Sequence, residues 1–231
     1  MNAKRGYLPK DQEYFSPIAL ATMRLAARHI CYLLNEGYEL KQAMTFVGNH
    51  FSLAERQRLA ISRSVAASAQ LERRRAKEKM AAIGEEIWID GFNTIITLEV
   101  MLSGSMLFVG MDGAIRDLAA LRGSYKIIPE TEVALLLLLD TLEELTVKSV
   151  HILLDKPVSN SGRLKTLIAS LGEGRPYKLD IQIIKAVDKE LWTKENVITS
   201  DSIILDHCKS WINLSQICLA KGSGPIFKVW E

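Results

Sequence analysis

The first third of the chain carries hydrophobic residues at the spacing of amphipathic helices. From Ser16, which is followed by proline as at many helix N-termini, apolar positions recur every three or four residues. Ser52 and Glu55 match the capping box that opens a third helix, and the helical pattern continues into the basic segment 71–79. We therefore predict a small all-α bundle over residues 1–84 that ends in a basic linker helix.

Beyond residue 84 the pattern changes to short apolar runs that alternate with helical stretches. The predicted strands are 87–89, 106–109, 150–154, 179–186, 197–199 and 214–219. The predicted helices between them are 94–102, 114–121, 131–145, 162–171 and 202–209. Buried strands that alternate with helices are typical of a mostly parallel sheet with helices on both faces. Residues 85–231 are therefore expected to form an α/β domain.

The composition is that of a globular protein. The 231 residues are 48% hydrophobic and 24% charged, which excludes wholesale disorder and allows one large or two small cores. The longest apolar run, 133–139, is too short to span a bilayer. The three cysteines are odd in number and form no C-x-x-C motif, so neither a disulfide framework nor a thiolate zinc site is expected. A reducing cytoplasm is the simplest location.

The net charge of +2 is unevenly distributed along the chain. Residues 1–86 carry 14 basic and 9 acidic side chains, whereas residues 87–231 carry 15 and 18. We expect the basic helical half to contribute substrate affinity or partner docking, and the acidic half to hold any cation. Arginines around residues 56–63 also suit a helix-turn-helix, but a solvated basic face explains them more simply.

Three of the predicted strands end in aspartate. Asp90, Asp155 and Asp201 each come directly after an apolar run or within two residues of its end. The carboxyl ends of neighbouring parallel strands share one edge, where open α/β sheets bind ligands. Carboxylates crowded there would repel one another by several kcal/mol unless a cation or shifted pKa values relieved them. One such aspartate indicates only a turn or a helix N-cap, but three on alternating strands favour a Mg²⁺ or Mn²⁺ site.

These segments resemble a known enzyme class. Residues 87–93, which read I-W-I-D-G-F-N, are similar to the opening strand and D-G-x-N motif of PIN-like nucleases, in particular of their NYN branch. The segment 197–201, V-I-T-S-D, is similar to their late strand ending in T-x-D or S-D, and Asp155 matches their intermediate acid. The resemblance covers residues 86–220. It implies a PIN-like α/β fold whose strand-end acids bind Mg²⁺ or Mn²⁺ and hydrolyse phosphodiester bonds.

The implied catalytic residues are Asp90, Asn93, Asp155 and Asp201. The three aspartates would hold one or two metal ions, which activate a water and stabilise charge on the scissile phosphate. Asn93 lies in the turn after Asp90, where its amide would orient a carboxylate or a metal-bound water.

A further, helix-borne acid of the family is harder to place. The insertion 103–124 departs from the compact PIN pattern, so several residues compete for the role. Asp117 is the first choice as an additional metal ligand, with Glu99 and Asp112 behind it. Asp206 is a further alternative, although its position on a predicted helix gives it less reason to face inward.

The whole chain also resembles an uncharacterised microbial family of unknown function, in which a helical N-terminal part precedes an α/β part. The resemblance is carried by V-G-N-H at 47–50, Q-R at 57–58, D-G-F-N at 90–93, R-D-L at 116–118 and S-N-S-G-R at 159–163. These segments span nearly the full length, and the family brings no established activity with it.

A polar segment opens a predicted helix soon after a strand. It consists of Ser159, Asn160, Ser161, Gly162 and Arg163. Backbone N–H groups at a helix N-terminus, two hydroxyls, an amide and a guanidinium would together form a phosphate cradle. The segment lacks the G-K-[ST] spacing of a P-loop. A capped helix after a loop is the equally simple interpretation.

The function predicted from these patterns is a divalent-metal-dependent nuclease that acts on RNA rather than DNA. One alternative is a non-catalytic nucleic-acid or nucleotide-binding module with a degenerate PIN-like site. Another is an interaction protein whose helical half docks a partner. Nucleic acid is the expected partner and no membrane contact is expected, while the sequence is compatible with a homodimer.

Overall fold

The N-terminal part forms five helices over its described residues, 4–80. The structure, a computed structural model, describes residues 4–80, 82–119, 123–221 and 225–231. The helices are α1 (Asp11–Tyr14), α2 (Pro17–Asn35), α3 (Leu40–His50), α4 (Glu55–Ser64) and α5 (Ser68–Ala76). Their apolar faces meet in a core that includes Met23, Ile30, Val47 and Ile61. The helical character predicted for this part is confirmed.

The third predicted helix is interrupted in the structure. Val65 is buried in an extended conformation between α4 and α5, and the N–H of Ser68 then donates to Oδ1 of Asn35 at 2.8 Å, which helps to restart the helix. The predicted capping residue is also wrong. Ser52 has a left-handed backbone (φ +52°), whereas N-cap residues have extended backbone, and α4 instead begins after Ala54.

The second part contains a four-stranded, fully parallel sheet. Its strands are β1 (Glu86–Asp90), β4 (Ser149–Asp155), β5 (Lys178–Ile184) and β6 (Val197–Ile198). They lie in the order β5-β4-β1-β6, with β1 paired to β4 on one side and to β6 on the other. The predicted parallel sheet is confirmed, and its order makes three aspartate-ending strands direct neighbours.

Helices cover both faces of this sheet, as predicted. They are α6 (Gly91–Leu102), α7 (Pro129–Glu144), α8 (Ser161–Leu171), α9 (Val187–Leu191), α10 (Ser202–His207) and α11 (Leu214–Leu219). The longer helices α6, α7 and α8 pack with α11 against the face that carries Ile87, Ile89 and Ile152. The short helices α9 and α10 pack against the other face, on Leu153 and Val197.

A second sheet of three short strands was not predicted. It has the order β3-β2-β7 and is formed by β2 (Leu107–Val109), β3 (Ile115–Arg116) and β7 (Ile226–Phe227). The helix predicted over 114–121 is wrong for residues 114–119, and the last two positions lie outside the described residues. The hairpin between β2 and β3 replaces it, closed by the N–H of Gly110, which donates to the carbonyl of Ala114 at 2.9 Å, and by a left-handed Gly113 (φ +87°).

The strand predicted near 214–219 is also wrong. These residues form helix α11, in which Leu214 and Cys218 are both buried and lie one turn apart. Residues four positions apart share one face of a helix, but they also share one face of a strand. The short apolar run did not distinguish the two interpretations.

The N-terminal helices pack directly on the second sheet. The ring of Phe15 lies 5.0 Å from that of Phe108 and 6.2 Å from that of Phe227, measured between centroids. Leu118 and Val229 belong to the same core as the N-terminal helices. The helical part therefore shares a core with segments from the middle and the end of the chain.

Among the described residues, no helix combines the length and the apolar character that crossing a membrane requires.

Candidate functional site

A narrow depression of about 230 Å³ lies at the carboxyl edge of the parallel sheet. Five aspartates line it together with Asn93 and Arg63; they are Asp90, Asp117, Asp155, Asp188 and Asp201. The three strand-end aspartates singled out in the sequence are thus brought to one cavity. The depression is strongly acidic, and Arg63 is the one basic side chain at its wall in the described part of the chain.

The pleat of the sheet explains why two of these carboxylates face the same side. Side chains alternate between the faces of a strand, so Asp90 shares a face with Trp88, and Asp155 shares one with Leu153. That face is the one covered by α9 and α10. Asp188 lies in the first turn of α9, and Asp201 is the N-cap of α10. The four acids therefore converge from two strands and two short helices.

The turn after Asp90 is held by close packing. α6 begins immediately at Gly91, so the chain reverses against the neighbouring strand within one residue. A Cβ atom at Gly91 would lie 2.8 Å from the carbonyl oxygen of Leu153 and 2.6 Å from Cδ2 of Leu154. Glycine is therefore required here by the close approach of β4.

We expect Gly91→Ala to destabilise the protein by about 2–3 kcal/mol, because overpacking against a strand backbone cannot be relieved by a side-chain rotation. Urea unfolding measures the effect. The matched control is Gly162→Ala, where the added Cβ meets nothing within 4 Å, so its stability should equal or slightly exceed that of the parent protein. A Gly91→Ala protein within about 0.5 kcal/mol of the parent would contradict the close packing.

Hydrogen bonds fix the loop that carries Asp201. The Oδ1 atom of Asn93 accepts from the backbone N–H of Ser200 at 2.8 Å and from its hydroxyl at 3.0 Å. The hydroxyl of Thr199 donates to Oδ2 of Asp90 at 2.8 Å. Oδ1 of Asp201 accepts from the N–H of Ile203 at 2.7 Å and caps α10. Asn93 thus orients the loop after β6, and its carbonyl oxygen is already engaged.

An arginine holds the same loop from the opposite side. Nε of Arg116 donates to the carbonyl oxygen of Ser200 at 2.8 Å, while its two terminal nitrogens donate to the carboxylate of Asp112, both at 2.7 Å. Asp112 is almost completely buried, and the guanidinium of Arg116 lowers its pKa, against the effect of burial, with help from Arg74. Asp112 is therefore committed to a structural ion pair and does not line the depression.

The aspartates in the depression perturb one another. Burial, reinforced by the charges of Asp201, Asp155 and Asp188, raises the pKa of Asp90 to about 8. Burial followed by the charge of Asp188 raises the pKa of Asp155, and burial followed by the charge of Asp201 raises the pKa of Asp188. Four carboxyl groups thus act as one coupled set with too little compensating positive charge.

Asp117 also lines the depression, but protein groups already contact its carboxylate. Its Oδ2 accepts from the hydroxyl of Thr97 at 2.9 Å and its Oδ1 from the N–H of Ala119 at 2.7 Å. Arg63 pairs with it, with 3.6 Å between Nη1 and Oδ1, and also donates to its backbone carbonyl. Both carboxylate oxygens of Asp117 are therefore engaged by protein groups.

The other acids considered in the sequence lie elsewhere. Glu99 is buried and accepts from the hydroxyls of Tyr125 and Thr131. Asp206 accepts from Nε of Arg74 at 2.6 Å. Neither lines the depression, and each is occupied by a structural partner.

The segment proposed as a phosphate cradle borders the depression without lining it. The preceding residue, Val158, is in the wall. The hydroxyl of Ser159 donates to the carbonyl of Tyr125 at 3.1 Å, and the amide of Asn160 donates to the same oxygen at 2.6 Å. Gly162 and Arg163 are exposed. Ser159 and Asn160 therefore anchor a neighbouring loop, and a phosphate role for the segment stays a prediction.

Two charged residues of the depression, Asp188 and Arg63, were not among the site residues predicted from the sequence. Asp188 follows the apolar run 179–186 by one intervening residue, so the rule that selected the other strand-end acids would have found it. Arg63 carried no such signal, because it lies on α4, in the helical part, and reaches the depression only through tertiary packing.

The donor atoms suit a hard divalent cation, which prefers carboxylate and amide oxygens. Asp90, Asp155, Asp188 and Asp201 supply oxygens only, and among the residues that the structure describes the carboxylate of Asp90 accepts one hydrogen bond, from Thr199. Within the described ranges, however, no three acidic, histidine or cysteine side chains are grouped closely enough to hold one ion as they stand. A bound cation would have to draw these carboxylates together.

Comparison with known proteins identifies relatives over both parts of the chain. Residues 79–217, more than half of the chain, match the family described as "Domain of unknown function (DUF5616)", and residues 22–77 match "Protein of unknown function (DUF434)". An uncharacterized protein of Methanocaldococcus jannaschii, MJ0935, is 36% identical over 176 residues, which are 75% of this chain and 84% of that protein. No solved structure matches the chain. The chain therefore belongs to the DUF5616 family, with a DUF434 region preceding the family's domain.

Proposed function

We propose that this protein is a divalent-metal-dependent nuclease with a PIN-like α/β domain that hydrolyses phosphodiester bonds, in RNA rather than DNA. The observation that carries the proposal is the coupled set of aspartates at the carboxyl edge of the parallel sheet. A buried Asp90 beside three further aspartates, without matching positive charge, is costly to the fold. Binding of Mg²⁺ or Mn²⁺ at this site would explain why the aspartates lie together, because the cation would offset their mutual repulsion.

In the proposed site, Asp90, Asp155 and Asp201 hold the cation. Asp188 is the better candidate for the fourth acid, since both carboxylate oxygens of Asp117 are engaged by protein groups. The cation, when bound, supplies an activated water and charge stabilisation at the scissile phosphate. Asn93 contributes by fixing the Ser200 loop that carries Asp201.

A second candidate function is a non-catalytic nucleic-acid-binding module. Two observations favour it: the carboxylates are not grouped at ligating distance in the described residues, and a pKa of about 8 leaves Asp90 protonated at neutral pH in the absence of a cation. In this case the depression would be a degenerate site, and the basic helical part would carry the binding.

Cleavage of a mixed single-stranded RNA pool by the purified protein distinguishes the two functions. We expect fragments with Mn²⁺ or Mg²⁺ and none with EDTA. Asp90→Asn should lower the cleavage rate by at least about a hundredfold, because loss of a metal ligand exceeds the effect of losing an outer partner. The matched control is Asp140→Asn, an exposed aspartate of α7 that pairs with Arg175 outside the depression.

Each outcome of this assay bears on one function. Cleavage that persists in EDTA, or in Asp90→Asn, would overturn the metal-dependent nuclease. A shift of RNA mobility that depends on salt but not on metal, without fragments, would support the binding module instead.

We also propose a reducing, cytoplasmic location. The support is that Cys31, Cys208 and Cys218 are all free thiols, and disulfides are rare where thiols are kept reduced. Two of them, Cys208 and Cys218, are buried.

A further inference from the structure

A second, larger cavity shares part of its wall with the acidic depression. It has a volume of about 500 Å³ and lies between the N-terminal helices and α10. Arg63 lines both cavities, and Ser202 in the second one directly follows Asp201 in the first. We call the second cavity the interdomain cleft, defined by Tyr38, Arg63, Gln70, Arg73, Ser202 and Ile203.

The walls of the interdomain cleft differ in charge from the depression. Arg73 is exposed and forms no ion pair with any described residue. The carboxylate of Asp206, which also faces the cleft, is neutralised by a bidentate pair with Arg74 at 2.6 and 2.8 Å. Glu39 is the other acid at the wall. The cleft therefore offers the guanidinium of Arg73, which has no ion-pair partner among the described residues, and that of the half-buried Arg63, whose Nη1 is engaged by Asp117.

An exposed aromatic ring stands in the same cleft. Tyr38 is 56% exposed in the short connection between α2 and α3. A large ring left in solvent beside accessible guanidinium groups is the combination by which proteins bind single strands: bases stack on the ring and phosphates contact the arginines. A duplex offers no unstacked base to such a ring.

The acidic depression makes flanking positive charge necessary. Phosphates of a nucleic acid are repelled by several carboxylates at close range, so a strand can place one phosphodiester there only if cationic groups hold its neighbours. Arg63 of α4 lies at the wall that the two cavities share, and Arg73 of α5 lies in the interdomain cleft.

We propose that the interdomain cleft is the path of a single-stranded nucleic acid, with phosphates at Arg63 and Arg73 and a base stacked on Tyr38. The inference rests on the proposed function, because it takes the aspartate depression as the position of the scissile phosphate. It assigns the helical part a direct share in substrate binding, in which the DUF434 region supplies one wall and α10 the other.

Equilibrium binding tests this path without requiring catalysis. Fluorescence anisotropy is measured with the full chain carrying Asp90→Asn, in EDTA, and a 5′-labelled 12-nucleotide single-stranded RNA. We expect Tyr38→Ala and Arg73→Ala each to weaken binding about tenfold, and Arg73→Ala to lower the slope of log K against log salt by about 0.7. The matched controls are Tyr32→Ala and Arg28→Ala, both exposed on α2 outside the cleft.

The outcomes separate this inference from the nuclease proposal. Equal losses in the cleft variants and the α2 controls, no loss in either, or no binding of the RNA by the parent protein would overturn the path. Tighter binding of a hairpin duplex than of the single strand would overturn it as well.

Metal-dependent cleavage with unchanged KM in Tyr38→Ala and Arg73→Ala would reject the path and leave the nuclease standing. The predicted losses in a protein that never cleaves would support the path and reject the nuclease. The deoxy oligonucleotide of the same sequence shows whether the 2′-hydroxyl contributes.

Discussion

Replacing Asp90 with asparagine is expected to stabilise the metal-free protein by as much as about 4 kcal/mol at pH 7. Asp90 is 5% exposed and burial, with three nearby aspartates, raises its pKa from 3.8 to about 8. Folding at pH 7 therefore requires the carboxyl group to take up a proton. The expected gain is roughly three pH units multiplied by 1.36 kcal/mol per unit. Asparagine has no carboxyl group to protonate, so the free-energy cost of proton uptake is absent. Its side-chain oxygen can still accept the hydrogen bond from the hydroxyl of Thr199.

The pH dependence follows from the direction of the shift. A carboxyl group whose pKa is raised on folding contributes its full stability below the unfolded value of 3.8, and the contribution is lost as pH rises towards 8. Asp155 and Asp188 shift in the same direction. The free energy of unfolding of the parent protein in EDTA should therefore fall between pH 4 and pH 8, and fall much less in Asp90→Asn.

Urea unfolding of both proteins across this pH range measures the effect. Mn²⁺ at one hundred times its dissociation constant should stabilise the parent by about 2.7 kcal/mol, and Asp90→Asn should lose most of this gain. Asp140→Asn, outside the depression, should behave like the parent in both experiments. Parallel pH curves for the parent and Asp90→Asn would refute the coupled aspartates, and no response of the parent to Mn²⁺ would refute the metal site.

Replacing Arg74 with alanine is expected to destabilise the protein by about 3–5 kcal/mol. Arg74 lies on α5 and is 4% exposed. Its Nε and Nη2 donate to Asp206 at 2.6 and 2.8 Å, and its Nη1 donates to Asp112 at 2.9 Å. Its removal leaves a nearly completely buried Asp112 with one cationic partner instead of two, and breaks the link from the helical part to α10. Loss of one member of a buried ion network is costly because uncompensated charge remains.

The neighbouring Arg73 provides the control for this substitution. Arg73→Ala removes an exposed guanidinium one residue away, and we expect its stability to lie within about 0.5 kcal/mol of the parent. Unfolding monitored by intrinsic fluorescence and by circular dichroism should give one shared transition for the parent. A loss below about 1 kcal/mol in Arg74→Ala, or separate transitions in the parent, would contradict the ion network as a link between the two parts.

Local sequence pattern determined the larger elements of the fold. Long amphipathic helices and buried strands are specified by residues a few positions apart, so the helical part, the four strands of the parallel sheet and its helices α6, α7, α8 and α10 were predicted. The aspartates Asp90, Asp155 and Asp201 could be singled out for the same reason, since each follows its own apolar run. Short segments such as 114–119 and 214–219 were misassigned, because so few residues do not establish a period.

Tertiary structure alone decided which charged groups meet. The aspartates share one depression because β4, β1 and β6 are neighbours in the sheet. The sequence of a single strand does not determine which strands lie beside it. Arg63 pairs with Asp117 across 54 positions of sequence, and Arg74 pairs with Asp206 across 132. Distant segments must first pack against one another before such groups come within hydrogen-bonding distance. Periodicity reports what a segment buries, whereas the pairing of charges depends on which segments are buried together.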